Sequence, residues 1–284
     1  VFVPTGPVFS LTASGAGACG RETKLERGVR DLSVSISGTD QAGVSKPATC
    51  AARAAAGPGY LTASGEFDAP EGSLGASASA DAQANFYFLV DTPADFAGRF
   101  IDVGVRAALS ARLSAIGTKS DTDPRTSALV NGTISATLNV TSSGPGATRT
   151  DSDNARVSEQ AASNSVNPAV IDGTLAETLT AAVSIDPSVS YLAVQLRLLA
   201  STGGGAAATR SSMGAFDASR TFSFARDAFT LPDGFSITNA DASIVDGRWV
   251  DPRASAPDPV PLPASALLLL GGLGALGAMR ARRG

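Results

Sequence analysis

The sequence predicts an all-β body, an antiparallel β-sandwich of jelly-roll-like type, followed by a proline-rich linker and one C-terminal transmembrane helix. Three observations carry this. Apolar residues recur at every second position through long stretches. Gly-, Ser- and Asp-rich segments separate those stretches. The end of the chain abandons both patterns for an uncharged Leu/Gly/Ala run closed by arginines.

The runs justify the strands one by one. In "ASASADAQANFYF" Ala76, Ala78, Ala80, Ala82, Ala84, Phe86 and Phe88 alternate with Ser77, Ser79, Asp81, Gln83, Asn85 and Tyr87. A strand sends two such sets to opposite sheet faces. "IDVGVRAALSARLSAI" is rich in Ala and Leu, which favours helix by propensity. Yet Ile101, Val103, Val105, Ala107, Leu109, Ala111, Leu113 and Ala115 keep period 2 without a break, so a strand, or two across a bend, is expected. "TISATLNVT" sends Ile134, Ala136, Leu138 and Val140 inward, and "YLAVQLRLL" does so with Leu192, Val194, Leu196 and Leu198. "DGTLAETLTAAVSI", from Asp172, stays open between a strand and one short helix. "GTDQAG", "GTKSDTDP", "SSGPGATRTDSDN" and "STGGGAAATR" are expected as turns. Many strands with such connections indicate two stacked sheets rather than βαβ units. "LTASG" occurs at Leu11–Gly15 and Leu61–Gly65, which similar strand ends suffice to explain. The expected division is a body over 1–250, a linker over 251–261 and a tail over 260–284. Pro252, Pro257, Pro259 and Pro261 make that linker stiff and extended.

Composition narrows the function classes. Only 6% of the 284 residues are aromatic, so the core must rest on Val, Leu, Ile, Ala and a few Phe. The net charge of −4 argues against a nucleic-acid partner, whose phosphates would need a basic face. The chain has no His, which excludes His-dependent triads and H-E-x-x-H zinc sites. No G-x-x-x-x-G-K-S/T loop is present. No catalytic residue, cofactor or metal site is assigned. A carboxylate-pair hydrolase is the least favoured class, because most Asp residues stand in turn contexts. Asp121 and Asp123, and Asp151, Asp153 and Asn154, offer hard oxygens for calcium, but neither group fits an EF-hand loop. Solvated turn acids are the favoured reading of both. Asn131 and Asn139 open N-x-T triplets, which are common by chance. Tyr60, Tyr87, Tyr191 and Trp249 are the scarce aromatics a sugar platform would draw on.

The tail is the informative segment. Leu262 to Met279 carries no charge and as a helix spans roughly 27 Å, close to the hydrocarbon thickness of a bilayer. Helix satisfies every backbone group in lipid. Arg280, Arg282 and Arg283 behind it are expected to stay cytoplasmic, which orients the body outward. Val260-Pro261-Leu262-Pro263-Ala264, the apolar helix and the Arg-rich end together resemble a VPLPA-CTERM sorting signal, a variant of the PEP-CTERM tails of Gram-negative bacteria. The resemblance covers about the last 25 residues. It implies an exosortase-type membrane transpeptidase as partner, an inner-membrane intermediate, cleavage near the motif, and delivery to the cell surface or extracellular matrix. The preceding segment, Phe229 to Trp249, is loosely similar to segments that recur before such tails. It is expected to close as a hairpin, with Phe229 and Leu231 opposite Phe235 and Ile237 across Pro232-Asp233-Gly234.

Export bears on the remaining residues. Cys19 and Cys50 are expected to pair, closing a loop worth about 3 kcal/mol in the chain-entropy model. The start at Val1, without a basic and apolar leader, is expected to be processed or truncated. The function expected is a non-catalytic exported surface or matrix protein, in contact with extracellular polysaccharide. A carbohydrate- or ligand-binding module is the alternative.

Overall fold

The computed structural model describes residues 6–254, except for short stretches at 16–18, 29–30, 40–46, 74, 97, 99, 122–126, 145–147, 164–166 and 189. Among the described residues the regular structure is β, apart from one 3-10 turn at Ala240–Ala242. Strands β1 (Val8–Ser14) and β2 (Arg21–Arg27) form a hairpin. Strands β3 (Leu32–Thr39), β4 (Thr49–Gly57) and β5 (Tyr60–Ala69) form a meander. Then come β6 (Ala76–Phe88), β7 (Ile101–Lys119), β8 (Leu129–Ser143) and β9 (Arg149–Ala162). They are followed by β10 (Ala169–Ile185), β11 (Tyr191–Gly204) and β12 (Arg210–Thr230).

Two six-stranded antiparallel sheets result. The first runs β2-β1-β6-β11-β8-β9 and the second β10-β7-β12-β5-β4-β3. Their buried faces share one hydrophobic core, as the predicted two-layer body requires. From β5 onward the chain changes sheet at every connection but β8–β9. Spatial neighbours are therefore distant in sequence: β6 pairs with β11, and β7 with β12.

The alternation explains the layers. All eight apolar positions from Ile101 to Ala115 are buried, and the run is one continuous strand. Burial of a period-2 face outweighs the helix propensity of its Ala and Leu. The segment from Asp172 is likewise strand, with Leu175, Leu179, Ala181, Val183 and Ile185 buried against β7 residues. Much of the core is alanine: Ala54, Ala63, Ala80, Ala82, Ala84, Ala107, Ala136, Ala200 and Ala218 are all buried. Bulk comes from a phenylalanine cluster that bridges the sheets. Phe224 of β12 meets Phe86 and Phe88 of β6 at ring-centroid distances of 5.6 and 6.0 Å. Phe9 and Phe229 extend it.

Side chains lace the open sheet edges. Asp151 and Asp153, expected in a turn, lie on β9. Their carboxylates accept the backbone N–H groups of Ala182 (2.8 Å) and Thr180 (2.9 Å) on the outer edge of β10. On the opposite side Lys24 of β2 donates to the Ser33 carbonyl of β3, at 3.1 Å. Unpaired edges invite pairing with other chains, and such caps blunt them.

The expected closing hairpin is corrected in detail. A turn does close at Pro232, where the Phe235 N–H bonds the Pro232 carbonyl. However, Ser236 bridges to Asp91, and the Phe229 N–H bonds Gly247. The hairpin proper is β13 (Ile244–Val245) with β14 (Arg248–Trp249). Asp246 and Gly247 between them both have positive φ, the requirement of a tight two-residue turn. The first compact unit ends at Val250. In the second unit the described residues are 251–254, where Asp251 receives the Arg253 guanidinium at 2.9 Å.

Candidate groove on the outer face of the second sheet

Outward side chains of six adjacent strands form a groove of about 880 Å³. Register builds it in rows. Val170 of β10, Ile116 of β7, Met213 of β12, Asp68 of β5, Thr49 of β4 and Thr39 of β3 stand side by side. The next row is Asp172, Ser114, Ala215, Glu66, Ala51 and Ser37. In β12 the register with β7 shifts between Asp217 and Phe222 and again between Phe224 and Phe229. Bulges of this kind bend a strand and increase its twist.

The groove has an apolar side and an acidic side. Val170 is 58% exposed and Met213 52%, with Ile116 between them, so three adjacent strands show one apolar patch. Glu66 and Asp68 are exposed and share one face of β5, about 7 Å apart. The one base in the lining, Arg112, is held by Asp172, with Nη2–Oδ1 at 3.0 Å. The lining therefore carries three carboxylates against one guanidinium. Such a surface favours a partner that is cationic and partly apolar, and opposes anionic polymers.

The other residues singled out in the sequence lie elsewhere. Cys19, after β1, and Cys50, on β4, are joined as a disulfide, with Cα atoms 6.0 Å apart, so the bond ties the first sheet's hairpin to the second sheet. Tyr87 and Tyr191 meet edge-to-face at 6.0 Å on the outer face of the first sheet. Tyr60 donates to Asp31, and the Trp249 indole N–H to the Pro58 carbonyl. Tyr87 and Tyr191 stand on the first sheet, Tyr60 on the second and Trp249 on β14, so the four do not share one sheet face. Asn131 and Asn139 lie on β8. Asp121 pairs with Lys119 at 3.3 Å. Asp123 lies outside the described residues. No group of three or more metal-ligating side chains occurs among the described residues. The run from Gly15 to Gly20 has the spacing of a dinucleotide loop, but strand β2 follows it, so no helix N-terminus receives a phosphate. The segment Val260 to Ala264, expected as a sorting motif, the run 262–279 and Arg280, Arg282 and Arg283 also lie outside the described residues. No helix among the described residues is long and apolar enough to cross a membrane.

Sequence reasoning missed the groove because no motif marks it. Its residues come from six strands, and the outward positions of each look like ordinary solvent-facing alternation. No family model matches the chain, and no curated protein or solved structure was found similar to it.

Proposed function

We propose that this chain is an exported cell-surface or extracellular-matrix protein, processed through its C-terminal sorting signal, with a non-catalytic body of jelly-roll type. The observation that carries the reading is the tail: Val260 to Ala264, an uncharged run to Met279, and Arg280, Arg282 and Arg283. The helix holds the chain in the inner membrane while the arginines keep its end cytoplasmic. Pro261 and Pro263 keep the motif extended, the form a membrane transpeptidase can grip.

Two features of the body agree with export. The Cys19–Cys50 bond belongs to oxidising compartments. The laced edges suit a sheet protein that meets other chains at high concentration. The jelly-roll assignment rests on strand order. Strands β5 to β12 supply the quartets β10-β7-β12-β5 and β6-β11-β8-β9, between which the chain alternates. A second reading, a ligand-binding module, is favoured by the mixed apolar and acidic groove.

Mass spectrometry of surface material from producing cells tests the sorting reading. Mature protein ending near Val260 to Ala264 is expected. Intact peptides running through Met279 to Gly284 as the dominant form would overturn it.

A further inference from the structure

The groove's complement lies on the same molecule. The outward residues of β2 are Arg21, Thr23, Leu25 and Arg27, which stand opposite the outward β1 residues Ser14, Thr12, Ser10 and Val8. Leu25 is 70% exposed, the most exposed large apolar residue described. Arg27 beside it is also exposed. This strip is basic and apolar, where the groove is acidic and apolar.

We propose that a second copy of this chain occupies the groove, with Leu25 on the Val170–Ile116–Met213 patch and Arg27 on Glu66 and Asp68. Spacing supports the match. Leu25 and Arg27 are about 6.8 Å apart along an extended strand. The middle of the Ile116–Met213 pair lies about one and a half strand spacings, ~7 Å, from Asp68. With β2 laid across the strands of the groove, the leucine covers the patch as the guanidinium reaches the carboxylates. Guanidinium–carboxylate pairing is the strong, oriented form of such a contact.

The two surfaces belong to different sheets. The strip is on the outer face of the first, the groove on the outer face of the second. A contact between unlike surfaces leaves one of each free on every added copy. Unless it closes into a ring, it propagates as a stack. The inference goes beyond the sorting proposal and does not rest on it, because it uses only the body.

The test is sedimentation velocity of the full chain in mild nonionic detergent, over a concentration series at low and high salt. Mass should climb past the dimer with concentration at low salt, as a growing stack or a larger ring, and fall as salt screens the charged pairs. Arg27→Glu alone, and Glu66→Arg with Asp68→Arg, should each weaken association roughly tenfold or more. An equal mixture of these two variants should associate again, because each then offers the surface the other lacks. Both substitute exposed residues, and an unchanged melting temperature confirms that each is folded. Four results would overturn the proposal: a monomer at every concentration, a closed dimer, variants that associate like the parent, or a mixture that stays apart. Saturable binding of a glucosamine oligomer to a monomeric chain, lost with Glu66→Arg, would give the groove to a foreign cationic ligand and overturn it too.

Discussion

Phe224→Ala is the sharpest test of how this core is held. Phe224 is 1% exposed and sits on β12, where its ring faces Phe86, Phe88 and Phe229 at 5.6, 6.0 and 5.9 Å. Its register partner on β7 is Ala107, and alanines line much of the surrounding core. Alanine side chains cannot swing into the space a lost ring leaves. The cost should therefore fall in the upper part of the usual Phe→Ala range, about 4–5 kcal/mol. Against a typical domain stability of roughly 5–15 kcal/mol, this is a large fraction. Phe224→Leu refills most of the volume and should cost about 1–1.5 kcal/mol. A double-mutant cycle with Phe86→Ala should give a coupling of about 0.5–1.5 kcal/mol, the value of an aromatic pair beyond its buried area. The assay is urea unfolding of the oxidised chain, with Leu89→Ala as an exposed control expected within about 0.5 kcal/mol of the parent. A Phe224→Ala loss below about 1 kcal/mol, at unchanged m-value, would mean the phenylalanine cluster does not hold the two sheets together.

Other expectations follow from the same contacts. Replacing Cys19 and Cys50 by Ser releases a loop with a sequence separation of 31, so chemical unfolding should show a loss of about 3–4 kcal/mol; parent-like stability would refute the cross-sheet tie. Asp151→Ala with Asp153→Ala should lower stability by only about 1–3 kcal/mol, since water can reach the freed N–H groups, but should raise aggregation by opening the β10 edge. Light scattering checks this, and unchanged solubility would count against edge capping. Ala80→Leu adds bulk at a position with 0% exposure and should cost about 1–3 kcal/mol by thermal melting; a stabilised variant would reveal a cavity there. Pro261→Ala with Pro263→Ala should leave an uncleaved, membrane-retained chain whose body still folds, checked by fractionation and blotting; normal release would remove the motif's conformational role.

Strand identity was legible in the sequence because period 2 is a local property. Ile101 to Ala115 and Ala76 to Phe88 carry their face assignment residue by residue, and burial follows it throughout. The segment from Asp172 was ambiguous because "LAETLTAA" mixes alternation with helix formers, and only docking on β7 settled it. The acids Asp151 and Asp153 looked like turn residues because their capping role depends on β10, some thirty residues away. The Phe229–Ile237 hairpin failed for a similar reason: Asp91 competed for Ser236, and nothing near residue 236 announces that bridge.

By itself the sequence determined the all-β class, the two faces of β6, β7, β8 and β11, and the distinct tail with its membrane-length apolar run. These depend on neighbours in the chain, whose geometry is set by the backbone. Only the tertiary structure decided which strands pair, that Cys19 reaches Cys50 across the two sheets, and that Glu66 and Asp68 lie beside Val170, Ile116 and Met213. Each strand's outward side chains are indistinguishable from any solvated face until its neighbours in the sheet are known. Those neighbours are chosen by long-range packing of the whole core, and with the chain crossing between sheets at every connection but one from β5 onward, no local pattern encodes them.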